Sequence, residues 1–214
     1  LLKPENKQQL TDILLYHVMP GKVASSAVTD GLIADSALGT SLFFKVDMGN
    51  AYVNEAQIVL TDIEASNGVI HVIDTVLLPK DLVDAAVFNK FDTLAAALTA
   101  AELVDTLKGE GPFTVFAPTE DAFKALPEGT LASLLLPENK QQLTNILLYH
   151  VVAGSVLAED VVKLTEAETV LGKNVTIKVD MGKVYNNDAQ VIVTDIKTTN
   201  GIIHVINAVL LPPQ

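Results

Sequence analysis

The strongest indication of the fold is the segment Asn200-Gly201-Ile202-Ile203-His204-Val205-Ile206. The same pattern stands about 133 positions earlier, as Asn67-Gly68-Val69-Ile70-His71-Val72-Ile73. Asn-Gly is a strong turn signal, and the β-branched run that follows it is typical of a strand. The segment therefore predicts a tight turn followed by a core strand, and it occurs twice.

The repetition extends outward from this segment over residues 1–79 and 134–212, which align without a gap. By direct count about 44 of the 79 aligned positions are identical, far more than shared composition would give. Residues 80–133 have no counterpart upstream of Leu1. We therefore expect one and a half tandem copies: residues 1–79 as the C-terminal part of a first domain whose first half is missing, and residues 80–214 as a complete second domain.

Charge and composition exclude several classes of function. The 214 residues carry a net charge of −12 and no cysteine. A nucleic-acid partner would require clustered Lys and Arg, so nucleic acid is not expected. Disulfides, thiolate metal sites and cysteine nucleophiles are ruled out. No apolar run approaches the roughly 18 residues of a transmembrane helix, so no membrane span is expected.

Hydrophobic periodicity predicts helices in the first half of the complete unit and strands in the second. Residues 80–108 are expected to be helical, with Asp92 as an N-cap. A β-type run follows at 113–118, and a strong helix begins at Pro137 and is ended by Gly154. From about Leu171 onward, alternation and turn signals predict strands. Helices followed by a strand meander indicate an α+β fold with a mainly antiparallel sheet.

The complete unit resembles the fasciclin (FAS1) domain family. The residues that carry the resemblance are, in order, Gly111–Thr119 followed by Ala122-Phe123, then Leu148–Val151, then Asn200–Asn207, closing on Val209–Pro212. Residues 1–79 match the second half of the family pattern only. The resemblance implies a FAS1-like β-sandwich or wedge of mainly antiparallel strands with packed helices, usually in tandem and outside the cytoplasm.

The resemblance also implies candidate binding residues. In animal relatives an Asp-Ile pair before the second signature and a Tyr-His segment are associated with integrin binding. The matching positions here are Asp62, Ile63, Asp195, Ile196, Tyr16, His17, Tyr149 and His150. From the residues alone, each Asp is equally well explained as an exposed carboxylate that meets a partner or as the cap of a turn.

No catalytic or metal-binding pattern stands out. The four histidines fall at repeat-equivalent positions, and each repeat offers only two of them, on different elements, whereas zinc needs three or four converging ligands. We interpret the histidines as structural groups that tie a helix end or a strand to a neighbouring backbone. Nucleophile-elbow and phosphate-loop motifs are absent from the sequence. Neither a metal site nor a cofactor is expected, and the protein is predicted not to be an enzyme.

Two further features bear on binding. Residues 24–37 and 157–170 share almost nothing although their flanks are nearly unchanged, which is how binding loops diverge on a constant scaffold. We call these the variable segments. Residues 1–79 by themselves would expose strand edges and a broad apolar face. Either the chain continues upstream as a tandem array, or another chain completes the half domain.

These observations predict a non-catalytic, extracytoplasmic binding module that mediates cell adhesion or matrix and surface association through tandem FAS1 domains. It would be secreted, on the cell surface or in the periplasm, and would bind a protein, a cell-surface or matrix component, or another copy of itself. The alternative is a structural extrinsic subunit of a membrane-associated or lumenal assembly, for instance in the thylakoid. A small-ligand carrier or an enzyme would require a deep pocket with perturbed titratable groups.

Overall fold

The computed structural model describes residues 1–213, and the chain folds as two compact units. Unit 1 comprises Leu1–Pro79, and unit 2 begins at Lys80. The boundary lies where the first copy of the repeated sequence ends. Each unit is described by itself below.

Unit 1 has one helix and five strands. A short 3-10 turn at Pro4–Asn6 leads into the helix, and a second 3-10 turn lies at Ser25–Ala27. The elements are α1 Lys7–Tyr16, β1 Ile33–Asp35, β2 Ser41–Asp47, β3 Asn50–Val53, β4 Ala56–Ala65 and β5 Gly68–Ile73. The strands form an antiparallel meander in chain order. Strand β5 is therefore an edge strand.

Unit 2 contains seven helices and seven strands within the described residues. The helices are α2 Leu82–Phe88, α3 Asp92–Ala100, α4 Val104–Lys108, α5 Glu120–Lys124, α6 Thr130–Leu134, α7 Lys140–Tyr149 and α8 Ala158–Val161. The strands are β6 Phe113–Pro118, β7 Val151–Ala153, β8 Glu166–Glu168, β9 Asn174–Asp180, β10 Lys183–Asn186, β11 Ala189–Lys197 and β12 Gly201–Ile206. A 3-10 turn at Pro137–Asn139 precedes α7.

The sheet of unit 2 has the order β7-β6-β12-β11-β10-β9-β8. Its pairings are antiparallel except between β6 and β12, which run parallel over six residue pairs from Phe113–Gly201 to Pro118–Ile206. A bridge between Val152 and Thr169 also brings the two ends of the sheet together. The predicted α+β fold with a mainly antiparallel sheet is confirmed. The parallel pair joins the two family signatures side by side.

Two local expectations were wrong. Asp92 is the first helical residue of α3 rather than its cap, and the Phe91 side chain before it does not cap the helix. The Glu120 carboxylate takes that role instead, because it accepts hydrogen bonds from the Thr93 backbone N–H at 2.8 Å and from the Thr93 hydroxyl at 2.7 Å. The helix that begins at Pro137 ends at Tyr149 and not at Gly154, since Val151–Ala153 pairs with β6 instead.

The core of unit 2 is organised around the sheet face on which Phe116 lies. Phe116 is 2% exposed and belongs to one buried cluster. Its members are Phe116, Tyr149, Val152, Val175, Ala189, Ile206 and Leu210. The corresponding cluster of unit 1 contains Tyr16, Leu42, Phe44, Val53, Ala56 and Leu77. Both cores thus contain the Tyr of the Tyr-His segment and strands of the meander.

Candidate functional site

A bulge in the strand positions the Asp of the Asp-Ile pair in each repeat. Strand β4 breaks register between Leu60 and Ile63, and β11 breaks it between Val193 and Ile196. Asp62 and Asp195 lie inside these breaks, each with φ of 58°. Asp and Asn tolerate the left-handed region better than other side chains. The bulge turns the carboxylate out of the regular alternation of the strand.

Each carboxylate is held by the start of a variable segment. In unit 1, Asp62 Oδ1 accepts a hydrogen bond from the Ser25 backbone N–H at 2.9 Å, and Asp62 Oδ2 accepts one from the Ser25 hydroxyl. In unit 2, Asp195 Oδ1 accepts one from the backbone N–H of Ala158, the first residue of α8, at 2.9 Å. The Ser25 hydroxyl and N–H favour the charged carboxylate and lower the pKa of Asp62.

A histidine completes this arrangement in both units. His71 accepts a hydrogen bond from the Asp62 N–H at Nδ1 and donates from Nε2 to the Val23 carbonyl at 2.8 Å. His204 does the same with Asp195 and with Val156, at 2.9 Å for the latter. We call each set, Asp62 with His71 and Asp195 with His204, an anchor. Burial lowers the pKa of His204, so its ring is neutral and uses both nitrogens.

The histidines of the Tyr-His segments are also saturated by backbone groups. His17 Nδ1 donates to the Ile13 carbonyl at 2.7 Å, and its Nε2 accepts from the Leu77 N–H at 3.0 Å. His150 makes the equivalent bonds with Ile146 at 2.8 Å and with the Leu210 N–H at 2.9 Å. Burial lowers the pKa of His150 to about 4. The structural interpretation of the four histidines agrees with these contacts.

The tyrosines have a partner that sequence reasoning missed. The Tyr16 hydroxyl donates to the Ser41 carbonyl and accepts from Asn54 Nδ2, both at 2.9 Å. In unit 2 the Tyr149 hydroxyl donates to the Asn174 carbonyl at 2.8 Å and accepts from Asn187 at 3.0 Å. The available signal was that Asn54 and Asn187 occupy equivalent turn positions in the two copies.

The sequence-predicted site residues thus separate into two groups. Asp62, Ile63 and, in part, Asp195 are accessible beside the variable segments, whereas Ile196 is buried. The tyrosines of both Tyr-His pairs lie in the interior; His150 is buried with Tyr149, while His17 reaches the surface. Hydrogen bonds to backbone groups give the Tyr-His pairs a part in holding the fold. A part for any of these eight residues in binding stays a prediction.

Within residues 1–213 no three His, Asp or Glu side chains come together in a way that could hold a metal ion. The same residues contain no helix with the length and apolarity to cross a bilayer. The longest helices, α1 and α7, have 10 residues each.

Comparison with known sequences adds to this geometry. The family model of the Fasciclin domain matches residues 1–79 and 89–212. Protein sll1483 of Synechocystis sp. is 54% identical over 134 residues, covering 62% of this chain and 74% of that protein. The transforming growth factor-beta-induced protein ig-h3 of Sus scrofa is 32% identical over 215 residues, which is 98% of this chain but only 31% of ig-h3.

The fold is also found among solved structures. The FAS1 domain pair of the insect cell adhesion molecule Fasciclin I superposes with a TM-score of 0.62. That match covers 96% of this chain and 81% of the solved one, at 19% sequence identity. With its two signature segments paired in one sheet and the family model matching both units, this chain belongs to the fasciclin family.

Proposed function

We propose that this chain is a non-catalytic, extracytoplasmic binding module that acts in cell adhesion or in matrix and surface association. The observation that carries the proposal is the anchor, which fixes a variable segment to a nearly unchanged scaffold in both units. Membership of a family that includes a cell adhesion molecule supports it. The variable segments are the proposed contact surfaces.

The chemistry of the anchors favours binding over catalysis. A general base needs a free lone pair that faces a substrate, and each histidine lone pair here accepts a backbone N–H. The cavities next to Phe116 and Phe123 in unit 2 measure about 10 Å³ each, room for about one water molecule. A rigid scaffold with loops that differ between copies is suited to recognising a large partner.

The anchor also explains how the loops can vary without loss of the fold. The Val156 carbonyl and the Ala158 N–H, through which unit 2 holds its segment, are backbone groups. Their hydrogen bonds do not depend on which side chains follow. The two variable segments are therefore free to carry different contact residues and to select different partners.

The test is an exchange of segments between the two copies in the full chain. Residues 157–170 are replaced by residues 24–37, which have the same length and enter through the same anchor. Beads coated with the protein are assayed for attachment to cells, and to extracted matrix, of the organism that encodes it. We expect attachment through unit 2 to weaken by about tenfold or more, since interface energy is concentrated in few residues.

A matched control is Met181→Ser, at a hairpin tip where Met181 is 97% exposed. This variant should attach as well as the unaltered chain. Attachment that survives the exchange undiminished, with both variants folded, would contradict the variable segment of unit 2 as a contact surface. Failure of the unaltered chain to attach to either material would contradict the adhesion role itself.

A second candidate is a structural extrinsic subunit of a larger assembly, for instance on the lumenal side of a membrane. It is favoured by exposed apolar side chains on β4 and β5 of unit 1, including Ile63, Ile70 and Val72, because such patches mark lasting contacts. Relatives in a cyanobacterium are compatible with a thylakoid location. A complex that persists through native purification, with more than about 1,000 Å² buried, would favour this candidate.

A further inference from the structure

The tips of two equivalent hairpins carry the same five residues. Residues 45–49 and 178–182 both read Lys-Val-Asp-Met-Gly, at the turns between β2 and β3 and between β9 and β10. All five are exposed in each unit. The four residues before them, 41–44 and 174–177, differ at every position. Within these hairpins, identity is thus concentrated where burial constrains the sequence least.

The backbone of these turns does not call for methionine. Each is a two-residue hairpin turn, closed by the pairing of β2 with β3 and of β9 with β10. Both central residues have positive φ, 48° at Met48 and Met181, and 81° or 77° at the glycines that follow. Such turns favour Asn, Asp or Gly at the first central position, and other side chains are disfavoured there. The next turn of each unit follows this preference with Asn54 and Asn187, at φ of 50° and 51°.

Packing does not explain the two methionines either. Met48 and Met181 are each 97% exposed, more than any other large apolar side chain among the described residues. The remaining methionine, Met19, is half-buried and packs against the buried cluster of unit 1. Both tips therefore hold an apolar side chain in water, in a backbone conformation that suits it poorly. Neither the turn nor the core accounts for the choice of methionine, which points to the side chain itself.

The thioether sulfur is the group that distinguishes methionine from other apolar side chains. The chain contains three methionines, no cysteine and no tryptophan. Its sulfur chemistry therefore rests on methionine alone, and two of the three sulfurs stand at the hairpin tips. An exposed methionine is readily oxidised to the sulfoxide. The tips are thus the places where an oxidant reaches sulfur first.

Oxidation by a peroxide needs no catalytic group from the protein. A sulfur lone pair attacks one peroxide oxygen, so that the O–O bond breaks and an S–O bond forms. The proton of the attacked oxygen passes to the departing hydroxide, which leaves as water. Sulfur loses two electrons and the peroxide gains them. A dithiol reductase reverses the change, because it releases the oxygen as water while its own thiols become a disulfide.

The surroundings of the tips let this change occur without damage to the fold. The charged neighbours at each tip pair with each other, Lys45 with Asp47 at 2.8 Å and Lys178 with Asp180 at 3.3 Å. A sulfoxide oxygen at either tip stays hydrated, since the side chain is almost fully exposed. At Met19 the added oxygen would lie against an apolar cluster, which is a destabilising change.

We propose that Met48 and Met181 are a pair of reversible oxidation sites. Hydrogen peroxide or an organic hydroperoxide converts them to methionine sulfoxide, and a methionine sulfoxide reductase restores them. Oxidation turns both tips from apolar to polar and leaves the two cores unchanged. Because the five tip residues are identical, both tips present the same substrate to the reductase. These sites do not depend on the adhesion role.

The first test exposes the full chain to hydrogen peroxide and follows each sulfur by mass spectrometry of tryptic peptides, which separate the three methionines. We expect Met48 and Met181 to oxidise at rates within about twofold of each other and at least about fivefold faster than Met19. The oxidised chain should unfold at the same urea concentration as the untreated chain, and reductase with dithiothreitol should restore both tips. Oxidation of Met19 at the rate of the tips, unfolding of either unit, or a tip that stays oxidised overturns the proposal.

Two variants separate the tips from the third methionine. Met48→Leu combined with Met181→Leu keeps apolar side chains of similar size at both turns and should take up at least about fivefold less oxygen at early times. Met19→Leu, the matched control, should take up oxygen at both tips as the unaltered chain does. Equal early uptake by the two variants would place the reactive sulfur elsewhere and overturn the proposal.

The second test uses native protein isolated from the organism that encodes it, before, during and after exposure of the cells to peroxide. We expect sulfoxide at both tips to rise during exposure to at least about fivefold its starting level and to fall again on recovery. Sulfoxide that does not rise at the tips, or that rises and persists, overturns the proposal. An equal rise at Met19 overturns it as well, because the tips would then have no preference.

Discussion

At the scale of single residues, the pairing of β6 with β12 depends on two glycines, because neither has a side chain. Gly111 and Gly201 lie where β6 and β12 begin to pair, and a Cβ on either would overlap a backbone carbonyl oxygen, of Asn200 and of Phe113 respectively. A backbone cannot yield as the end of a flexible side chain does. These two glycines therefore allow the six-residue parallel pairing to form.

The glycines give a matched prediction. Gly201→Ala should reduce the free energy of unfolding of unit 2 by about 2 kcal/mol, in the range of overpacking substitutions. Gly68→Ala, where an added Cβ meets open space, should leave unit 1 unchanged or slightly more stable. Hydrogen exchange with peptide resolution in increasing urea measures both units in one experiment. Equal losses for the two variants would contradict the close approach as the cause.

His150 predicts a pH dependence of unit 2. Burial lowers its folded pKa from 6.5 to about 4, so the unfolded chain takes up the proton first as the pH falls. The stability associated with the neutral ring is fully present above pH 6.5 and is lost as the pH falls to about 4. The loss amounts to about 3 kcal/mol. His204, whose pKa is also lowered by burial, acts in the same direction.

Urea unfolding between pH 7 and pH 4 measures this dependence, and His150→Gln removes the titrating ring. Unit 2 of that variant should lose less stability over the interval than unit 2 of the unaltered chain. His17→Gln, the same change in unit 1, should leave the profile of unit 2 as it was. A profile that is identical in all three proteins would contradict the assignment.

Replacement of Asn186 is predicted to stabilise unit 2, unlike the substitutions above. Its side chain is fully buried, and neither its Oδ1 nor its Nδ2 has a hydrogen-bond partner among the described residues. Unit 1 has Val53 at the equivalent position. Asn186→Val should raise the free energy of unfolding of unit 2 by about 1–3 kcal/mol. A fall in stability, measured by urea unfolding, would show that the amide has a role these contacts do not reveal.

At the scale of elements, the bulge in β11 joins a strand to the start of α8. This connection requires a left-handed backbone and a hydrogen-bond acceptor. Asp195 supplies both, with φ of 58° and a carboxylate that accepts from the Ala158 N–H. The sequence left open whether this Asp is a contact or a cap. The contacts make it a cap of the variable segment, beside the surface that we propose for binding.

A series at Asp195 separates the two requirements. Asp195→Asn keeps an acceptor oxygen and tolerates the left-handed region, so we expect unit 2 to lose less than about 0.5 kcal/mol. Asp195→Ala loses both and should cost about 2 kcal/mol. Thermal and urea unfolding measure the difference. An Ala variant as stable as the Asn variant would show that the carboxylate is an exposed group without structural weight.

Local signals predicted the elements better than their ends. The strand of residues 113–118 and the antiparallel meander follow from alternation and turn residues. The cap of α3 could not be predicted, because Glu120 reaches Thr93 from another helix, 27 residues along the chain. The strand of β7 was equally hidden, since Val151–Ala153 becomes a strand only through β6. Contacts between distant segments decided both.

For the candidate site, too, the sequence predicts residues but not the contacts that hold them. The Asp-Ile and Tyr-His residues could be named from the family resemblance, and the variable segments from comparison of the copies. That the Ser25 N–H binds Asp62, and that the Val23 carbonyl binds His71, could not be named. A turn-type Asp and a repeated His are compatible with many partners. Only the bulge fixes which backbone groups they face.

At the scale of the whole molecule, the chain presents the same sheet motif in a covered and in an open form. Unit 2 covers β12 with β6 and with helix α2, and unit 1 leaves β5 at the edge. Because about half of the aligned positions are identical, each unit serves as a control for the other when their exchange rates or stabilities are compared. The two units thus differ in whether this strand is paired on both sides or on one.

The most direct measurement of this difference is amide hydrogen exchange of the full chain, resolved at Gly68–Ile73 and Gly201–Ile206. Amides of β12 should all exchange slowly, because both sides of the strand are paired. In β5 the amides that face β4 should be protected, whereas the alternate ones that face the free edge should exchange at least about 100-fold faster. Equal, slow exchange along the whole of β5 and β12 would contradict the position of β5 at the edge of its sheet.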